Sequence, residues 1–405
     1  MSRILIVCLV LAWSASAAAQ EIKPPAGPFA ELQSVAAFDQ LLATVLQLRD
    51  AVLEDAASEQ EAAEGMRFIL RTLAMSQDVT GDGYPAAPHF ARMDSGRRKV
   101  GGDNPDGEYY TLAWEGSRDY KITGNIGSAD HLSFSVLAMQ RTGRSKSLGY
   151  ANERTLGADA DGNFTLWLSA EKPQEPGKWI KTGPGSGFGS VLVREYFGDR
   201  ENETPATMNV EVVGRNRYDP LPASTDAEVA RSIQTARFAF QGIGLLHRYV
   251  SPSIDESPNV FRRRTSDDFG DDISSPDNLY LIGTYSIGPD EALIVAVDPL
   301  DVRFWNFAIE NPWHESVDYA QRRTSRTHDG VQTDPDGKVR FVVAQLPTDH
   351  PNYLETAGHR RGFMTFRWVG ERDTTPPLPE VTLLPLDEAL ARAQALAKGD
   401  KAKAE

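Results

Sequence analysis

The sequence predicts a mainly β protein with helical additions: two related antiparallel β-sandwich or jelly-roll-like modules behind an N-terminal helical hairpin. Three observations predict it. Between residues 35 and 75, apolar residues recur every three or four positions, the spacing of amphipathic helices. From about residue 100 to residue 384, short alternating apolar runs are punctuated by glycine and proline, as in antiparallel sheets. The two β regions also overlay: "DADGNFTLWLSAEKP", from Asp159, matches "DPDGKVRFVVAQLP", from Asp334.

The 405 residues are 40% hydrophobic, enough for real cores in more than one domain. The formal charge of −15 argues against nucleic acid and anionic membranes as partners. Residues 1–19 read as a secretory signal. Arg3 precedes the apolar "ILIVCLVLAW", which is too short to span a bilayer, and "SASAAAQ" offers cleavage after Ala19. The single cysteine, Cys8, lies inside that signal. Its removal excludes disulfides, cysteine nucleophiles and thiolate metal sites. The expected product is soluble, with no membrane span after cleavage, in a periplasmic or secreted location.

Residues 20–34 form a proline-rich leader. Residues 35–98 hold the hairpin. In its first helix Phe38, Leu41, Leu42, Val45, Leu46 and Leu48 make an apolar stripe, and in its second Met66, Ile69, Leu70 and Leu73 do so. The first β module spans 99–220, with strands at "YYTLAW", "YKITG", "HLSFSVLAM", "FTLWLSAE", "SVLVREYF" and "MNVEVVG". A connector, 221–277, contains a helix over 225–250. Ser224 or Thr225 caps it, and Asp226 and Glu228 suit its first turn. The second module, 278–384, has strands at "NLYLIGTYSI", "EALIVAVD", "RFWNFAIE", "VRFVVAQL", "FMTFRWV" and "EVTLLPL". Residues 385–405 start as a helix and fray.

The overlay extends beyond the shared Asp-x-Asp-Gly turn. "KWIKTGPGSGFGSVLVREYFGD" matches "NYLETAGHRRGFMTFRWVGE", and "HLSFSVL" matches "RFWNFAI". Trp179 then corresponds to Tyr353 and Phe188 to Phe363, residues expected to anchor strands in the core. Where the second copy reads "AGHRRGF", the first reads "GPGSGF". The frame therefore does not need the bases His359, Arg360 and Arg361.

The stretches "DEALIVAVDPLDVRFWNFAIENPWHESVDY", "DPDGKVRFVVA" and "NYLETAGHRRGFMTFRWV" resemble the bacterial domain-of-unknown-function family 1214, most strongly over about residues 275–370. "GGDNPDGEYYTLAWEGSRDYKITGNIG" resembles the region preceding this module in longer members. Tyr353 stands where that family usually has tryptophan. The resemblance implies β-sandwich or jelly-roll modules, often in tandem, and no agreed activity.

The candidate ligand-binding residues are Arg303, Trp305, His314, Asn352, His359, Arg360 and Arg361. Guanidinium groups fork onto carboxylate, sulfate or phosphate oxygens, and aromatic rings supply a flat wall. The opposing reading pairs these bases with carboxylates of an acidic chain. A catalytic version has His359 as acid or base, oriented by Glu315 or Asp318. No metal site is expected. "DVTGDGYPAAPH" opens like a calcium loop (Asp78, Thr80, Asp82, Gly83) but has His89 where a bidentate glutamate is needed. Asp103, Asn104 and Asp106 read as a turn. His247 reads as a helix-end residue, and no His-x-x-x-His pattern appears. No phosphate loop or nucleophile elbow is present, and no cofactor is expected. Three readings follow: an exported protein that binds a small anionic or polyhydroxylated ligand, a hydrolase or lyase using His359, and a homo-oligomeric scaffold.

Overall fold

The computed structural model describes residues 26–140, 144–216, 218–221, 223–249, 254–264, 275–370 and 375–400. The signal at 1–19, the start of the leader and the last five residues lie outside them. Among the described residues, no helix is long and apolar enough to cross a membrane.

The chain is mainly β. Each module pairs a five-stranded sheet with a four-stranded one. In the first, the five-stranded order is β1 (Ala91–Arg92), β2 (Gly107–Glu115), β8 (Phe188–Tyr196), β4 (His131–Met139) and β5 (Ser145–Asn152). The four-stranded order is β7 (Lys178–Lys181), β6 (Asn163–Ser169), β3 (Tyr120–Asn125) and β9 (Thr207–Val212). The second repeats this order with β10 (Val260–Arg264), β11 (Asn278–Ser286), β17 (Arg361–Val369), β13 (Phe304–Glu310) and β14 (Ser325–Thr327). Against these lie β16 (Tyr353–Glu355), β15 (Val339–Ala344), β12 (Glu291–Val297) and β18 (Glu380–Pro385). Even the parallel pair recurs, β6 with β7 and β15 with β16. The strands β1, β5, β7, β10, β14 and β16 had no alternating signal of their own and are set by pairing to neighbouring strands.

Alternation puts one face of each sheet into its core. Leu112, Phe134, Val136, Leu166 and Val193 fill the first sandwich; Leu293, Phe307, Phe341, Phe366 and Trp368 fill the second. The shared turn has the geometry its sequence predicts: Gly162 and Gly337 sit at φ +84° and +85°, where a side chain is strained. Cross-strand pairing corrects one equivalence. Phe188 lies opposite Glu115 at the end of β2, and Arg361 lies opposite Ser286 at the end of β11. Arg361, not Phe363, therefore takes the place of Phe188, because the turn before β17 is one residue shorter than that before β8. Accordingly Phe188 is 52% exposed, whereas Phe363 is buried. The same ladders set His131 opposite Tyr196 as Phe304 is set opposite Val369.

The two five-stranded sheets meet at a seam with quasi-twofold character. Tyr196, Phe304 and Val369 form its apolar centre. Equivalent arginines reach across it in opposite senses. Arg194 donates to Ser275 Oγ (3.0 Å), just before β11, and Arg367 donates to the carbonyls of Gly102 and Asp103 (2.9 and 3.1 Å), just before β2.

The helices are α1 (Gln33–Asp55), α2 (Glu59–Ser76), α3 (Asp226–Gly244), α4 (Leu246–Tyr249) and α5 (Leu386–Ala397). Ser58 caps α2, and Thr225 with Glu228 forms a capping box on α3. Asp226 also accepts the first two amides of α1, both at 2.9 Å. The connector helix thus completes the hairpin as a third member, joined through Leu48, Val52, Phe68 and Phe240. The helix α5 covers the outer face of β12 and β15 through Ala389 and Ala393.

Candidate functional site

One side of α2 presents Glu61, Glu64, Phe68 and Arg71 at three- and four-residue steps. The residues receiving them are the basic loop and the 313–315 turn of the second module. Arg361 donates to both Glu61 carboxylate oxygens, at 2.8 and 3.1 Å, and to Asp255 at 3.1 Å. The ring of Trp313 stacks on Phe68 with centroids 6.3 Å apart, and its indole N–H donates to the Glu61 carbonyl at 3.0 Å. Gly65 permits this approach, since a Cβ there would meet Trp313 at 2.9 Å.

His359 is buried between two acceptors, the Thr356 carbonyl at Nδ1 and the Glu64 carboxylate at Nε2, both at 2.7 Å. Two acceptors require two N–H donors, so the imidazolium fits the site. Burial alone would lower its pKa; the hydrogen bond and charge of Glu64 outweigh that and raise it. Glu64 is lowered in turn: burial opposes the shift and His359 drives it. The carboxylate expected beside His359 was Glu315 or Asp318, and neither is its partner. Glu315 accepts from Arg71 at 3.1 and 3.2 Å, and Asp318 is exposed. Burial pushes Glu315 up to about 7, against the opposing charge of Arg71.

The other candidates separate. Arg360 is exposed. Arg303 lies in the seam, donating to Glu153 and, at 2.8 Å, to Asp277. Trp305 fills the second core. Asn352 is buried, holding the Gln332 and Arg340 carbonyls at 2.7 and 3.1 Å. His314, in a left-handed conformation at φ +61°, pairs with buried Glu310, which also accepts from Arg367 at 3.0 Å. Burial would raise Glu310, but His314 and Arg367 overcome it and lower it. Asp103, Asn104 and Asp106, read as a turn, are seam residues: Asp103 accepts from Ser316 N–H at 2.8 Å, and Asn306 donates to Asn104 and Asp106 at 2.6 and 2.7 Å. Arg303, Trp305, His314, Asn352 and the basic loop thus do not converge on one pocket.

A cavity of about 620 Å³ lies elsewhere, between the loop preceding β1 and the edge strand β9. Pro88, Phe90, Met208 and Val210 give it apolar walls; His89, Asn209, Glu211, Arg215 and Asn216 give it polar groups. Arg215 is held by the carbonyls of Ala86 and, at 2.7 Å, Asp219. Among the described residues, no carboxylate pairs with it. No sequence motif marked this place, because its lining comes from segments more than a hundred residues apart. The described residues also bring together one set with metal-ligand character: Asp130, His328 and Asp329.

Residues 112–198 match DUF1214, a protein family of unknown function. The matched span lies within the first module, not over residues 275–370, where the sequence resemblance is read. An uncharacterized protein from Burkholderia cenocepacia shares the fold at 26% identity and a TM-score of 0.79, covering 88% of this chain and 99% of that one. The VPA0106 protein from Vibrio parahaemolyticus aligns at 12% identity and a TM-score of 0.46, covering 78% and 99%. No curated protein matches the chain.

Proposed function

We propose that this is an exported binding protein for a small anionic or polyhydroxylated ligand, and that the ligand occupies the first-module cavity. One observation carries the reading: Arg215 lines that cavity, its guanidinium held by two backbone carbonyls and, among the described residues, in no ion pair with a carboxylate. The cavity falls within the roughly 300–1,000 Å³ of small-molecule sites. A guanidinium suits a carboxylate or phosphate, and Asn209, Asn216 and Glu211 suit hydroxyl groups. Export rests on the signal-like first 19 residues. The reading includes no catalytic step, because both ring nitrogens of His359 are engaged.

The experiment is a thermal-shift and calorimetric screen of the mature protein against citrate, tartrate, gluconate and glucose. At least one is expected to stabilise it, with Arg215→Gln and the exposed His89→Ala each weakening binding at least about tenfold. Absence of any stabilising compound, or binding indifferent to both substitutions, overturns the proposal. Export is checked separately by the mature N-terminus, expected at Gln20.

A further inference from the structure

We infer that Asp130, His328 and Asp329 form a divalent-cation site across the seam of the two modules. Asp130 lies in the loop between β3 and β4 of the first module. His328 and Asp329 form the tight turn that follows β14 of the second. His328 Nε2 is 3.6 Å from Asp130 Oδ2 and 3.4 Å from Asp329 Oδ1, and one donor atom from each residue lies within 4.8 Å of the others. Donors placed about 2.1 Å from a tetrahedral ion stand roughly 3.4 Å apart. The set is therefore within small side-chain adjustments of a coordination shell.

Three further observations point to a ligand. First, the atoms that face inward lack side-chain partners. Asp130 Oδ2 and Oε2 of nearby Glu203, from the loop between β8 and β9, are buried with no side-chain hydrogen bond, and the backbone amide of Gly198 faces both carboxylates. Among the described residues, no lysine or arginine pairs with Asp130, Glu203 or Asp329. Three carboxylates gathered around a single imidazole repel one another, most strongly where burial excludes water. A bound divalent ion removes that repulsion.

Second, the backbone of Gly198 abuts all three ligands. A Cβ there would collide with Asp130 Oδ2 and stand 2.6 Å from Asp329 Oδ2 and 3.0 Å from His328 Cε1. The missing side chain is what lets the three converge. Gly198 is itself fixed to the turn, its carbonyl accepting from Thr327 Oγ1 at 2.6 Å.

Third, the imidazole is oriented in advance. Its ring meets Phe304 edge-on at 6.0 Å and lies 6.5 Å from Trp305, and Nδ1 is buried with no hydrogen bond, so packing alone holds the ring with Nε2 beside the carboxylates. Fixed ring orientation is a general requirement of a histidine ligand.

The donor set selects the ion. One imidazole with carboxylates suits zinc or manganese better than calcium, which takes six to eight oxygens, and better than thiolate-seeking copper(I). Glu203 and water are the available further ligands. Because the donors come from both modules, the ion acts as a staple between them.

The test uses tag-free mature protein stripped with a chelator and titrated with zinc and with manganese by calorimetry and thermal melting. One ion per chain is expected, with a rise in melting temperature. His328→Gln, Asp329→Asn and Gly198→Ala should each weaken binding at least about tenfold. Asp329 is exposed, so Asp329→Asn keeps the test readable should a buried-site variant misfold. Absence of stoichiometric binding of either ion, or binding left unchanged by folded variants, overturns the inference.

Discussion

His359 Nε2 and Glu64 Oε2 lie 2.7 Å apart, joining positions separated by 295 residues. The pair fastens α2 to the second module at a loop whose repeat in the first module carries no bases. The added charges thus serve the docking of the helices, and their pH dependence follows. His359 is raised above 6.5, so its contribution is fully present below about 6.5 and is lost as pH rises through the folded value. Glu64 is lowered below 4.5, so its contribution is present above about 4.5 and lost as pH falls. Amide exchange in α2, corrected for intrinsic rates, should therefore accelerate as pH rises above about 6.5. In His359→Gln that acceleration should disappear. An unchanged profile in the variant would exclude the pair as its source.

Arg361 and Glu61 make the second fastening, mostly buried on both sides. Arg361→Met should cost about 2 kcal/mol, because buried Glu61 is left without its charged partner. A double-mutant cycle with Glu61→Gln should return a coupling of about 1 kcal/mol in urea unfolding. Additive losses would show that the two side chains act independently.

The repeat was legible because its strands alternate and its turns carry Asp-x-Asp-Gly, so the duplication could be inferred from three matching pieces. The register of β17 was not. Gly-Phe occurs in both copies, and only hydrogen-bonded pairing with β2 and β11 reveals that Arg361 replaces Phe188. The partners of the basic loop were hidden for a different reason. Glu61 and Glu64 carry no motif that sets them apart from solvated helix charges, and the one hint is Gly65 inside an otherwise good helix, a costly residue unless something packs closely against it. Seam residues such as Asp103 and Asn306 resembled turn and strand residues, since their function depends on how the modules meet.

Trp313 is the apolar centre of the helical attachment, in contact with Phe68 and edge-on to His247 at 5.4 Å. Trp313→Ala should destabilise by about 3–5 kcal/mol through lost burial and an unfilled cavity. Because its partners are helical, the loss should fall first on α1–α3. Limited proteolysis is expected to cut there before the sandwiches. Simultaneous loss of all three parts would mean that the helices and modules unfold as one unit.

Asp94 opposes stability at neutral pH. Its Oδ1 accepts the Tyr109 amide at 3.0 Å, whereas Oδ2 is buried with no partner. Burial, reinforced by the charge of Asp103, pushes its pKa up to about 7. A carboxyl raised in the folded state binds more protons there than in the unfolded chain between about pH 4 and about pH 7. Stability accordingly falls as pH rises through that window and stays reduced above it. Asp94→Asn keeps an acceptor for Tyr109 and cannot ionise. It should match the parent near pH 4 and exceed it by about 2 kcal/mol at about pH 8 in chemical denaturation. A variant less stable than the parent at both pH values would instead assign the ionised carboxylate a favourable partner in the seam.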